Sequence, residues 1–201
     1  MRKLYSYMFI SLDGVIESPE RWHFNRYSDE MGQDLGARLE SAGAMLLGRK
    51  TYDDFAAYWP QQGSGVPFAD INNNIRKYVI STTLKSANWN NTTVINGNVT
   101  AAVRQLKAES GGDLHVAGSA TLVRWLLAAG LLDSVRLQVS PVIVGSGLRL
   151  FPDGSTPAEL VLVEAKPLPN GVLVLEYRVA KNAAHGTGAL GTTDTATAAR
   201  N

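Results

Sequence analysis

LLGRKTYDDF, residues 46–55, runs from an apolar segment through one glycine and two adjacent cations into an amphipathic segment. Residues 44–47 (AMLL) read as a buried strand, and Thr51 to Trp59 as a helix stopped by Pro60. A strand that ends on a glycine and feeds a helix directly is the repeating unit of an α/β sheet. Free N–H groups and the positive dipole end at such a helix start suit an anion, and Arg49 and Lys50 add charge. The same residues equally fit a glycine turn with two solvated cations, and the junction alone does not choose between them.

The unit recurs on both sides. Residues 4–10 place Tyr5, Tyr7 and Phe9 on one face and Leu4, Met8 and Ile10 on the other, the pattern of a central strand covered on both sides. Ser28 is expected to cap a helix running to about Ala42, with Met31, Leu35 and Leu39 along one side. Further strands are expected at 77–81, 92–95 and 114–118, with a helical segment through Leu106 and a helix from Ser119 to about Ala129. Residues 134–144 read as one long strand with Pro141 near its end. Residues 158–165 and 171–180 form an expected hairpin across PLPNG, where Asn170-Gly171 would supply the positive φ values of the turn. The fold class is therefore α/β: a mainly parallel central sheet flanked by helices, with a C-terminal antiparallel hairpin, in one domain over residues 1–180. Residues 181–201 are dominated by Gly, Ala and Thr without periodicity, and a disordered tail is expected there.

Composition narrows the chemistry. A net charge of +1 over 201 residues gives no field for nucleic acid or an acidic membrane, so the expected partners are small molecules or another protein. The chain has no cysteine, which excludes disulfides, thiolate catalysis and zinc–thiolate or iron–sulfur sites. The start, MRKLYSYMFISLDG, imitates a signal peptide, but its apolar run is short and no cleavage pattern follows, so it reads as a strand. No run of about 18 apolar residues occurs, and a cytoplasmic protein is expected. His23, His115 and His185 lie far apart, without other ligands at metal spacing, so no metal site is expected. A hydrolase elbow G-x-S-x-G is missing, and GSGLRL (145–150) holds only the first two glycines of a dinucleotide fingerprint. Gly43 and Gly48 have P-loop spacing, but the filling between them would rather be a strand, and Arg49 intervenes before Lys50-Thr51.

SLDGVIE (11–17), LLGRKTYDDF (46–55), YVIST (78–82), HVAGSATLVRWLLAAGLLDSVRLQVSPVIVGSGLRLF (115–151) and the late hairpin follow one another in an order that resembles the dihydrofolate reductase-like superfamily. The likeness is closer to the branch of the C-terminal reductase domain of the bifunctional riboflavin-biosynthesis deaminase–reductase, and covers about residues 3–180. It implies NADPH as cofactor, with Gly48, Arg49, Lys50 and Thr51 at its phosphates and Ser81 and Thr82 near the adenosine ribose and 2′-phosphate. It further implies that Ala117, Gly118, Ser119, Ala120 and Thr121 form a second pyrophosphate turn. Dihydrofolate reductases carry two glycines at that turn, where this chain has Ala117-Gly118.

On the substrate side, the resemblance makes Leu12, Val15 and Ile16 apolar walls of the nicotinamide site, with Gly14 allowing close approach. Asp13 is a candidate for holding a substrate hydroxyl or amine, although Asp-Gly is also a common turn pair. Asp29 and Glu30 are favoured over Asp34 as the acidic group of the following helix, and an acidic first turn stabilises any helix. Trp22, Phe24 and Trp59 are candidate pocket aromatics, and Gly145, Ser146 and Gly147 a candidate cradle for a phosphate or sugar. The zinc-binding residues of a deaminase are absent from the sequence, so a free-standing reductase domain is expected, and the resemblance further implies a homodimer acting on a small, pterin- or pyrimidine-like substrate. A non-catalytic protein that keeps the fold and binds a small molecule is the alternative.

Overall fold

The computed structural model describes residues 1–180, and the expected disordered tail at 181–201 lies outside the described residues. Eight strands form one sheet in the order β4-β3-β2-β5-β1-β6-β8-β7. They are β1 (Leu4–Ser11), β2 (Ala42–Gly48), β3 (Lys77–Ile80), β4 (Thr92–Ile95), β5 (Asp113–Ala117), β6 (Ser134–Ser140), β7 (Leu160–Pro167) and β8 (Leu173–Val179). The first six pair in parallel and the last two run antiparallel, as an α/β chain with a closing hairpin requires. The helices are α1 (Asp29–Ser41), α2 (Arg49–Tyr58), α3 (Ala69–Asn74), α4 (Val99–Ala108) and α5 (Ala120–Ala128).

The alternation in β1 divides the molecule. Leu4, Met8 and Ile10 enter the main apolar cluster with Leu46, Leu114, Val116, Val135 and the inward residues of α4 and α5. On the opposite face, Met45, Leu47, Val79 and Tyr52 form a second cluster beneath α2. Where that second face reaches β1 and β6 it becomes polar. Arg136 and Gln138 lie in register with Tyr7 and Phe9, and α1 crosses over them. Ser28 caps α1 by accepting from the Met31 N–H, as its sequence pattern predicts.

Two expectations need correction. The strand read as 134–144 stops at Ser140, because Pro141 has no N–H to continue a ladder. The short helix α3 lies between the expected helix at 51–59 and strand at 77–81, where no element was expected. In the late hairpin Gly171 alone has positive φ, at 85°, and Asn170 does not. The loop is of the three-residue kind, closed by Gly171 N–H to Leu168 O and Leu168 N–H to Val172 O.

Candidate active site

All parallel strands deliver their C-terminal ends to one edge, where ligands of open α/β sheets sit. Two strand-to-helix junctions meet there. Gly48, at the start of α2, has no side chain to cap the helix, and Ser119, at the start of α5, makes no side-chain cap bond. First-turn N–H groups of both helices therefore keep donors for an outside acceptor. The junctions interlock: a Cβ at Gly48 would lie 2.1 Å from Ser119 Oγ, and one at Gly118 would lie 2.8 Å from Thr51 Cγ2. Gly118 and Ser119 are successive left-handed residues, each with φ 58°, and no peptide among the described residues is cis. Two left-handed residues thus make the turn that the Ala117-Gly118 departure put in question. Ala120 is buried at the head of α5, and Thr121 Oγ1 faces Arg124.

Beside this pair a cleft of ≈ 330 Å³ is lined by Arg49, Ile80, Ser81, Thr82, Thr83, Ile95, Asn96 and Val99. Ser81 Oγ accepts from the Thr83 and Leu84 N–H groups and so shapes the turn, while Thr82 is exposed. Arg49 is paired with Asp53 at 2.8 Å, and Lys50 stands 3.7 Å from Glu17. Both cations are exposed, and such pairs exchange readily for a ligand anion.

Across the edge, residues 12–17 and 142–150 are laced together. Leu12 N–H bonds Val142 O, Ile16 N–H bonds Leu148 O, and Leu150 N–H bonds Gly14 O. Asp13 accepts from Ser11 Oγ and from the backbone of Val144 and Gly145, which hold its carboxyl well below the usual carboxylate range. It is a loop clamp in this arrangement, and it occupies the Gly145 N–H that a phosphate cradle would use. Glu17 likewise takes the Leu148 N–H, and Gly147 (φ 121°) packs against Val15. Leu12 is 67% exposed at the rim, and Ile16 packs on the main core.

The polar half of the second face holds what the sequence did not single out. His23 is fully buried, stacked on Phe9 with ring centroids 4.2 Å apart. Its Nδ1 meets Ser140 Oγ at 2.7 Å and its Nε2 meets Gln138 Oε1 at 3.1 Å. Gln138 Nε2 donates to Tyr7 Oη (2.5 Å) and to Met31 O (3.1 Å). Tyr7 in turn donates to Asp34 Oδ2 at 2.6 Å, and Asp34 is ion-paired with Arg136. Arg136 also bonds Glu164 and Glu176 at 2.8 Å each. Burial opposes charge on Asp34, but bonds from Arg136 and Tyr7 outweigh it and keep the carboxyl below its ordinary value. Burial, then the bond to Asp34, pushes the Tyr7 hydroxyl far up, so it holds its proton.

Of the predicted acids on α1, Asp29 is exposed in the first turn. Glu30 is held below its ordinary value by the Ser28 hydroxyl. Asp34 is the acid that joins the buried chain. Trp22 and Phe24 gather around His23, with Trp22 Nε1 bonded to Glu17 O. Trp59 packs elsewhere, against Phe55 and Tyr58 in the second cluster. Ser146 lies exposed in the 145–147 turn. The missed residues had one readable signal: Arg136, Gln138 and Ser140 alternate with Val135, Leu137 and Val139, so a strand in the sheet interior carries a polar face. Among the described residues, no group of three or more His, Asp or Glu is placed to hold a metal, and no helix is long and apolar enough to cross a membrane.

A mixed eight-stranded sheet of this order, with two open helix starts at the carboxyl edge, defines a dihydrofolate reductase-like α/β protein. The chain belongs to the RibD C-terminal domain family, whose model matches residues 2–174. It is 28% identical over 184 residues to the Bacillus subtilis (strain 168) protein YyaP, covering 88% of this chain and 94% of that one. Among solved structures it is similar to a pyrimidine reductase-like protein from Corynebacterium diphtheriae, with TM-score 0.63, 18% identity and coverage of 89% and 92%. The deaminase/5-amino-6-(5-phosphoribosylamino)uracil reductase of Thermotoga maritima matches with TM-score 0.61 and 18% identity, over 89% of this chain and 57% of that one. The Enterococcus faecalis dihydrofolate reductase complexed with NADP(H) matches with TM-score 0.57 and 14% identity, over 88% and 94%. At these identities the structural matches establish the fold.

Proposed function

We propose that the protein is an NADPH-dependent reductase of a small planar heterocycle, pterin- or pyrimidine-like, similar to 5-amino-6-(5-phosphoribosylamino)uracil reductase domains. One observation carries the reading: two uncapped helix starts touch at Gly48 and Ser119, beside the cleft that holds Arg49, Ser81 and Thr82. That arrangement fits a dinucleotide with a charged ribose substituent. The paired N-termini of α2 and α5 would take its diphosphate, and Arg49 with Thr82 the 2′-phosphate. When bound, NADPH supplies the hydride. The chain's own part is to orient the two rings and to exclude water with residues 12–17 and 19–27. Asp13 is committed to the loop, so it fixes the wall of the site rather than donating a proton.

The same reading takes the protein as cytoplasmic, one domain over residues 1–180, and a homodimer. The exposed Val161, Leu162 and Val163 on edge strand β7 support the last point. Binding without catalysis is the second reading, favoured by His23, whose ring fills the polar end of the site.

NADPH titration tests the proposal. At about 100 times Kd the cofactor should add about 2.7 kcal/mol to stability. Absorbance at 340 nm should then fall with a panel of pterins and pyrimidines, and Arg49→Ala should need about tenfold more NADPH to reach the same rate. A melting temperature unmoved by millimolar NADPH rejects the cofactor, and a shift without turnover favours the binding protein.

A further inference from the structure

Residues 18–27 form two single-turn 3-10 helices, Pro19–Arg21 and Phe24–Arg26, laid over the ends of β1 and β6. Their backbone bonds stay inside the segment: Arg21 to Ser18, Trp22 and His23 to Pro19, Arg26 to His23, and Tyr27 to Phe24. Trp22 Nε1 reaches only to Glu17 O. Among the described residues, the hydrogen bonds that tie the segment to the rest of the molecule are the two at the His23 ring and one from Asn170 Nδ2 to Arg26 O. Its neighbours Arg21, Phe24, Asn25, Arg26 and Tyr27 are exposed, while Trp22 is buried and His23 fully buried. His23 is thus the one side chain of the segment that plugs a polar seat, with the apolar Trp22 packed beside it.

The seat has a readable polarity. The Gln138 amide is oriented by donating through Nε2 to Met31 O and Tyr7 Oη, which turns Oε1 toward His23 as an acceptor. His23 must therefore carry its proton on Nε2, leaving Nδ1 to accept from the Ser140 hydroxyl. Phe9 supplies a flat face. What the seat recognises is a planar ring with an N–H and an acceptor separated by one carbon. Imidazole has that edge, and so does the –NH–C(=O)– edge of a pyrimidinone or pterin.

We infer that His23 is a built-in stand-in for the substrate's heterocycle, and that residues 18–27 are a gate whose opening lets a lactam-edged ring stack on Phe9 and take over Gln138 and Ser140. This deepens the reductase reading by assigning the recognised edge, and it rests on that reading for the word substrate. Asn170 holds the gate shut from outside the seat.

The test uses no NADPH, so its failure and that of the cofactor reading are distinguishable. Uracil, 1,3-dimethyluracil and imidazole are titrated by calorimetry into the wild type, His23→Ala and Asn170→Ala. His23→Ala should bind uracil and imidazole about tenfold tighter than the wild type, because the competent state no longer waits for the gate. Gln138→Leu in that background should abolish the gain. Asn170→Ala, a half-buried turn change that also gives up contacts to Met31 Sδ and the Val172 N–H but removes no hydrogen-bond partner of the seat, should tighten uracil about threefold by loosening the gate, so the test survives even if His23→Ala fails to fold. Dimethyluracil, which lacks the N–H, should bind none of them. Equal uracil affinity in the wild type and the variants, or equal binding of uracil and dimethyluracil, overturns the inference.

Discussion

The two faces of β1 and β6 are built from alternate residues of the same strands and differ in every respect that matters. One presents Leu4, Met8, Ile10 and Val135 to a dry cluster beneath α4 and α5. The other presents Tyr7, Phe9, Arg136, Gln138 and Ser140 to α1 and the His23 segment. Burying ions costs several kcal/mol each, and a well-packed apolar patch of equal volume stabilises as well or better. The apolar face therefore accounts for stability, and the polar face for orientation, since the bonds from Gln138, Tyr7 and Arg136 fix which way each neighbouring group points.

Cutting the polar face at its centre should have the largest effect. Arg136→Ala leaves Asp34 charged and without its ion-pair partner, and leaves Glu176 with Arg38 alone. Urea unfolding should show a loss of about 3–5 kcal/mol, matching the about 2–5 kcal/mol expected for Leu114→Ala on the dry face. A loss below about 1 kcal/mol would mean that the carboxylates reach water and the two faces differ less than drawn.

Acid separates the faces next. Burial pushes the pKa of His23 and of His115 down to about 4, while unfolded histidine stays near 6.5. Between those values the unfolded chain takes protons that the folded chain refuses, so stability falls with pH in that window and is unaffected above it. Going from pH 7 to pH 5 should remove about 3–4 kcal/mol for the pair, read from chemical denaturation at each pH. Asp34, with its lowered pKa, keeps its contribution through that range and loses it only in stronger acid. Replacing His115, whose ring nitrogens have no partner, with Leu should flatten about half of the slope.

At the carboxyl edge of the sheet the expected effects are smaller and of another kind. Arg49→Ala should weaken NADPH about tenfold, weaken NADH much less, and leave the unfolding free energy within about 0.5 kcal/mol, since its ion pair with Asp53 is exposed. Ser119→Gly, at a left-handed residue, should raise stability by about 1 kcal/mol, measured by thermal unfolding.

How much of this was legible follows the same division. The apolar stripes on both faces are written in local periodicity, so β1, α1, α2 and α5 could be read within a residue or two of their bounds. The two strand-to-helix junctions were legible because a glycine between a strand and a helix is a local event. The polar cluster is not local: Gln138 meets Tyr7 across 131 residues and Met31 across 107. His23 sits in an aperiodic segment whose partners come from a strand a hundred residues on. Asp34 was passed over for Asp29 and Glu30 because sequence shows which acids begin a helix and cannot show which one faces a buried tyrosine. The hairpin turn misled for a related reason, since Asn-Gly states that a turn exists and the strand register decides which of its residues turns left-handed.

The His23 ring also has a meaning in concentrations. A group on a short tether competes at its seat as though it were present at millimolar levels or above, however dilute the protein. A free heterocycle must exceed that fixed internal competitor before the seat fills. The length and anchoring of residues 18–27, with the Asn170 tie, thus act as a threshold setting that can be raised or lowered without touching a single group in the seat.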